Sequence, residues 1–280
     1  MRNILITVTR FDYMVDFAEN ALLQSTEKSE DKMSYIKTTI DAGDEIFVTK
    51  INAPMFGNHN SRSERIKPSA PAAKRCSEFR AAELCEAKLK LNFRPHDWHI
   101  ALTYSCTPDE QTEERCAKDL RNFLDKLKRR CIKSGITLKY LKMTEKGVRS
   151  RKIHHHLVLP QEIPVSMMYE CWSFGQIRIL NTLYANGDFK GLAEYFVDKT
   201  KGGQKEDDRR KGEHRYVFSR NCAEPKITYE VICFSHWKAP TAPKGYAVIK
   251  SSVRTGTTST GYPYQRYTLV RTGAEKRRNC

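Results

Sequence analysis

Residues 98 to 159 alternate between strand-like and helix-like periodicity, and this constrains the fold more than any other stretch. Trp98-His99-Ile100-Ala101-Leu102-Thr103-Tyr104 is aromatic and β-branched, the composition of a buried strand. Thr107-Pro108-Asp109-Glu110 follows with a capping hydroxyl, a proline at the first helical position and a glutamate three residues after the cap, which predicts a helix starting there. Leu120, Phe123, Leu124, Leu127 and Cys131 recur at helical spacing as its core stripe, and Lys118, Arg121, Lys126, Lys128, Arg129 and Arg130 form its other face. Ser134-Gly135 ends the helix. Ile136 to Glu145 then reads as a second strand, Lys146-Gly147 as a turn and Lys152 to Leu159 as a third strand. The order strand, helix, strand, hairpin, strand is that of an α+β domain.

The flanks are less regular. Residues 1 to 55 mix short apolar runs with acidic patches and show no strong period, and residues 55 to 73 read as an exposed basic linker or arm. A helix is predicted from Ser77 to Leu91, another from Val165 to Trp172, a strand from Gly175 to Leu180, and a helix from Phe189 to Thr200 capped by Asp188. The charged, glycine-containing run 199 to 211 reads as a loop. Tyr229 to Phe234, Tyr246 to Lys250 and Tyr262 to Val270 read as strands of a small β appendage before a basic tail. The expected organisation is an N-terminal segment over 1–95, a central domain over 96–228, and the appendage and tail over 229–280.

Charge indicates the partner class. Lys and Arg number 49 against 33 Asp and Glu, a formal net charge of +16 that favours a polyanion such as a phosphate backbone. The nine cysteines include no C-x-x-C pair, which argues against a zinc ribbon and suits reduced thiols in a cytosol. No apolar run approaches the roughly 20 residues that span a bilayer, and the opening apolar run is too short for a signal peptide, so the chain is expected to stay inside its cell, away from membranes.

The densest chemical signal is His154-His155-His156 inside the apolar strand Lys152 to Leu159. Alternation along a strand points His154 and His156 to one face and His155 to the other with Ile153, Leu157 and Leu159. Two adjacent imidazoles can share a divalent cation, with a carboxylate as third donor, and Glu145 across the hairpin is the nearest candidate. His155 reads as a satisfied core residue. The second signal is the helix Gly191 to Thr200, where Tyr195 and Lys199 are i and i+4 neighbours. An adjacent cation favours phenolate, and a metal makes a phosphate more electrophilic.

Taken in order, Ala101-Leu102-Thr103-Tyr104, His154-His155-His156 and Tyr195 to Lys199 resemble the motifs of rolling-circle replication initiators of the HUH endonuclease superfamily. Arg215 to Asn221 resembles the segment that follows the tyrosine helix in plasmid and phage members, and the resemblance spans roughly residues 60 to 225. Two positions depart from the pattern. The central residue of the histidine motif, usually bulky and apolar, is His155; Asp198 stands where the lysine commonly falls, with Lys199 one later.

The resemblance implies an HUH-endonuclease-like (RRM/ferredoxin-like) antiparallel sheet with helices, crossed on its open face by a single DNA strand at a replication origin. It implies Mg²⁺ or Mn²⁺ held by His154, His156 and Glu145, attack by Tyr195, a 5′-phosphotyrosine intermediate, and Lys199 orienting the phosphate. Host helicase and DNA polymerase are the implied partners in the cytoplasm of a bacterial host cell, and the sequence holds no G-x-x-x-x-G-K-[ST] phosphate loop of its own. The alternatives are a non-catalytic single-stranded nucleic-acid binder, and a relaxase or transposase of the same superfamily. Residues 1 to 55 and 230 to 280 are candidates for duplex recognition.

Overall fold

A computed structural model describes residues 6–8, 33–52, 71–147, 150–182, 188–197, 216–234, 238–258 and 261–273. In chain order the elements are β1 (Ile6–Val8), β2 (Met33–Asp41), β3 (Glu45–Asn52), α1 (Pro71–Asn92), β4 (Trp98–Leu102), α2 (Glu113–Lys133), β5 (Leu141–Lys146), β6 (Ile153–Leu159) and α3 (Val165–Cys171). They continue with β7 (Ile177–Thr182), α4 (Lys190–Val197), β8 (Tyr216–Phe218), β9 (Lys226–Phe234), β10 (Tyr246–Val248), β11 (Arg254–Thr257) and β12 (Pro263–Arg271). The chain is α+β with antiparallel sheets and four α-helices, the class expected from the sequence. Among the described residues, no helix is long and apolar enough to cross a membrane.

Two compact units divide the chain: Glu78–Ala223, and Met1–Ser77 together with Glu224–Cys280. The second is therefore discontinuous. Its sheet runs β1-β9-β2-β3-β12-β10, with β11 also on β12, so strands from both ends of the chain share one ladder. Tyr35 to Asp41 of β2 pair with Asn52 to Ile46 of β3 on one side, and the whole of β2 pairs with β9 on the other.

The Glu78–Ala223 unit is built on the sheet β7-β4-β6-β5-β8, antiparallel throughout. On one face Ile100, Leu102, Ile153, Leu157 and Leu159 pack against Leu120, Phe123, Leu124, Leu127 and Cys131 of α2, with Met168 and Cys171 of α3. The stripe read from the sequence is thus the buried face of α2, and each fully buried Leu or Phe contributes about 1.5–3 kcal/mol. On the other face Leu141, Met143 and Val158 pack against Cys85 and Leu89 of α1 and Leu192, Ala193, Phe196 and Val197 of α4.

Two expected boundaries move. The Thr107 capping signal produces only a single 3-10 turn, Pro108–Glu110, in which the Glu110 carboxylate accepts from Thr107 N and Oγ1, both at 2.7 Å. Gln111 is extended, Thr112 accepts from Arg115 N as the true cap, and α2 starts at Glu113. Gln111 is drawn out of the helix because its Oε1 accepts the β6 amide of Ile153 at 2.6 Å. The second strand starts at Leu141 rather than Ile136, because Leu138 and Tyr140 bond to Asn221 and Ser219 ahead of the ladder. The expected basic linker falls outside the described residues except for 71–73, which begin α1, and the 199–211 loop and the basic tail from 274 fall outside them altogether.

Candidate active site

The hairpin register brings the metal-ligand candidates together. In the β5–β6 ladder Glu145 stands opposite His154 and Met143 opposite His156, so period-two alternation puts Glu145, His154 and His156 on one face. One donor atom from each lies within 4.8 Å of the others. Glu145 and His156 are nearly buried, at 9% and 6% exposure, whereas His154 is half-buried and forms the outer side of the cluster. His155 points to the opposite face, fully buried, between Thr144 Oγ1 at 2.9 Å and the Tyr104 hydroxyl at 3.1 Å. Burial, reinforced by the positive field of His154 and Lys142, pushes its pKa down to about 3. It is a hydrogen-bonded core residue.

α4 brings the tyrosine. Leu192, Ala193, Phe196 and Val197 fix the helix on the sheet, while Asp188 Oδ1 accepts the Lys190 amide at its first turn. This orientation sends the Tyr195 hydroxyl to 2.7 Å from Glu145 Oε2 and 3.0 Å from His156 Nε2. The His156 and Tyr195 rings meet edge to face with centroids 5.3 Å apart. Lys199 lies outside the described residues.

The sequence did not single out His99. It lies on β4 opposite Val158, on the face that carries His156, and its Nε2 is 3.3 Å from His156 Nδ1. Burial pushes its pKa down to about 4, so it is neutral at physiological pH. One proton arrangement satisfies the whole chain of contacts: His99 Nε2–H donates to His156 Nδ1, His156 Nε2–H to the Tyr195 oxygen, and Tyr195 O–H to Glu145. Only strand register brings His99 to His156, and register is not written in His99's own neighbours.

The sheet face that carries the site is not open, contrary to the expectation of a strand crossing it. α1 and α4 cover Leu141, Met143 and Val158, and His99, Ala101 and His156 are buried beneath. The half-buried His154 marks the accessible end.

The arrangement is a two-imidazole, one-carboxylate set with a phenol in hydrogen-bond contact. This donor set leaves positions open for a substrate oxygen. No curated protein and no solved structure matches the chain. Residues 97–201, which run from the start of β4 past α4 and hold every candidate residue above, match a family model for the replication-associated protein ORF2, and in that stretch the chain is similar to replication initiators.

Proposed function

We propose that the chain initiates rolling-circle replication by nicking and rejoining single-stranded DNA, with Tyr195 as nucleophile and Glu145, His154 and His156 as ligands of a divalent cation. The observation that carries this reading is the contact of the Tyr195 hydroxyl with Glu145 Oε2 and His156 Nε2, at 2.7 and 3.0 Å. A lone structural tyrosine on α4 had no need to meet two members of a ligand-type cluster.

The residues fit such an ion: neutral imidazole nitrogens and a carboxylate oxygen are competent donors, and two imidazoles favour Mn²⁺ over the more oxygen-seeking Mg²⁺. When bound, the cation polarises the scissile phosphate as a Lewis acid. The remaining work falls to the chain. Tyr195 Oη attacks phosphorus, a P–O bond to tyrosine forms, and the bond to the 3′ oxygen breaks. The phenolic proton passes to its nearest acceptor, Glu145 Oε2, or onward to solvent, and the departing 3′ oxygen takes up a proton. The 5′-phosphotyrosine conserves the ester for rejoining, and the free 3′-OH is what a host polymerase extends. Lys199, four residues beyond Tyr195, is proposed to orient the phosphate. With no phosphate loop in the chain, strand separation is proposed to fall to a host helicase.

The deciding experiment mixes the protein with labelled single-stranded DNA from its own genetic element and Mn²⁺, and looks for an adduct that survives denaturation. Tyr195→Phe is expected to abolish it, and His154→Ala, His156→Ala or Glu145→Gln to reduce it greatly. An adduct of wild-type yield from Tyr195→Phe overturns the assignment. Metal-independent binding with no adduct in any condition marks a binding module instead.

A further inference from the structure

From Val231 to Ala274 the sequence contains no Asp or Glu, against 33 in the whole chain, yet it holds Lys238, Lys244, Lys250, Arg254, Arg266 and Arg271. This stretch supplies β10, β11 and most of β12, which together make one side of the discontinuous unit's sheet. β10 and β11 both pair with β12, at Tyr246 to Val248 and Arg254 to Thr257, so they form the sheet edge, interrupted by a 3-10 turn at Lys250–Ser252. Lys238, Lys244, Lys250, Arg254 and Arg271 are exposed along it. Arg254 and Arg266 stand directly opposite one another in the ladder, so like charges face each other across neighbouring strands, an arrangement unfavourable in itself.

The inner strands of the same sheet are different. Lys37 meets Glu230 at 2.8 Å, and Lys50 donates to Gln265 at 3.0 Å. The other carboxylates near this edge are Glu45, which is buried, and Asp41 and Asp44 at the β2–β3 turn, where Asp41 accepts the Gly43 amide. The charge excess is therefore confined to the β10–β12 side.

We infer that this edge binds the phosphate backbone of duplex DNA, a surface separate in sequence from the nicking site. Cations without interspersed carboxylates gain from counterion release on a polyanion, and exposed Ser251, Thr255 and Thr257 add hydroxyl donors suited to phosphate oxygens. The aromatic rings favour duplex over single strand. Tyr246 lies against Arg271, with 5.8 Å from guanidinium to ring centroid, and Tyr264 against Arg266, at 5.6 Å, and over Gly256. Rings so occupied are not free to stack on unpaired bases. The edge thus offers charge and hydroxyls, and its binding is insensitive to base sequence. The inference takes its DNA partner from the proposed function, but the two fail separately, since adduct formation and duplex affinity are different readouts.

The test measures anisotropy of the 280-residue chain on a labelled duplex of arbitrary sequence across a salt series, in wild type and in Lys244→Ala/Lys250→Ala/Arg254→Ala. Each cation removed from a phosphate is expected to flatten the slope of log K against log salt by about 0.9, so the slope of the triple variant should be shallower by roughly 2–3. Mn²⁺-dependent adduct yield on a single strand is expected to stay at wild-type level. Arg254 also donates to the Ser251 and Val253 carbonyls, so Lys238→Gln/Lys244→Gln/Lys250→Gln serves as a second variant that leaves those bonds in place. Unchanged duplex affinity and slope in both variants overturn the inference. So does an equal loss on single-stranded and duplex probes, which would make the edge a general strand-binding surface.

Discussion

His99 Nε2 stands 3.3 Å from His156 Nδ1, so one imidazole is oriented by another from the neighbouring strand. A cation at His156 Nε2 needs that nitrogen free of its proton, which places the proton on Nδ1 and makes neutral His99 its acceptor. The partner behind a ligating histidine commonly accounts for 10–100-fold of metal affinity. His99→Phe is expected to weaken Mn²⁺ binding by about tenfold or more, and His99→Gln, which retains an acceptor, to recover part of it. Calorimetric titration with Mn²⁺ reads this directly. Equal affinity for wild type and His99→Phe would reduce His99 to a packing residue.

The Tyr195 hydroxyl and a cation draw on the same two atoms, Glu145 Oε2 and His156 Nε2. Removing the hydroxyl removes the competitor. Tyr195→Phe is therefore expected to bind Mn²⁺ at least as tightly as wild type, and up to several-fold more tightly, while forming no adduct. A marked loss of Mn²⁺ affinity in this variant would mean that the phenol is itself a ligand, and would change its assignment from nucleophile to metal holder.

The legible part of the molecule is the part with strong local periodicity. The α2 stripe, the split of His154 and His156 from His155, and the opposition of Glu145 to His154 all follow from spacing of 3.6 or 2 along a continuous segment. What escaped depends on long-range pairing. β2 and β3 carry Lys37, Thr38, Thr39, Thr49 and Lys50 mid-strand, which blurs the alternation, and they become strands because β9 and β12 from the other end of the chain lie beside them. His99 escaped for the same reason, and the start of α2 was displaced by one backbone amide, that of Ile153, reached through Gln111.

Gly175 tests the fold around the first motif. A Cβ there would clash with the Thr103 carbonyl oxygen, and that oxygen accepts from Trp172 Nε1 at 3.1 Å while the Thr103 amide donates to Gln176 O at 2.9 Å. Backbone must therefore shift in Gly175→Ala, at a cost of about 1–3 kcal/mol for this kind of overpacking. The melting temperature is expected to fall by roughly 3–10 °C. A calorimetric melt within about 1 °C of wild type would show that the loop yields without cost.

His155 makes stability depend on pH in a defined direction. Its pKa is about 3 in the folded protein and near 6.5 in an unfolded chain, because burial, then the charges of His154 and Lys142, disfavour its cation. Between those values the unfolded chain binds a proton that the folded chain refuses. The stability this group contributes is full above about pH 6.5 and declines as pH falls, with a slope of up to about 1.4 kcal/mol per pH unit. His99, pushed down to about 4, acts in the same direction over a narrower window. Urea midpoints measured in chelator are therefore expected to drop from about pH 7 to about pH 5 in wild type. In His155→Gln, which keeps polar atoms near Tyr104 and Thr144, the drop is expected to shrink by the equivalent of up to one proton, with His99 accounting for part of the remainder. An identical pH slope in wild type and variant would show that the imidazole between Tyr104 and Thr144 titrates freely in the folded state.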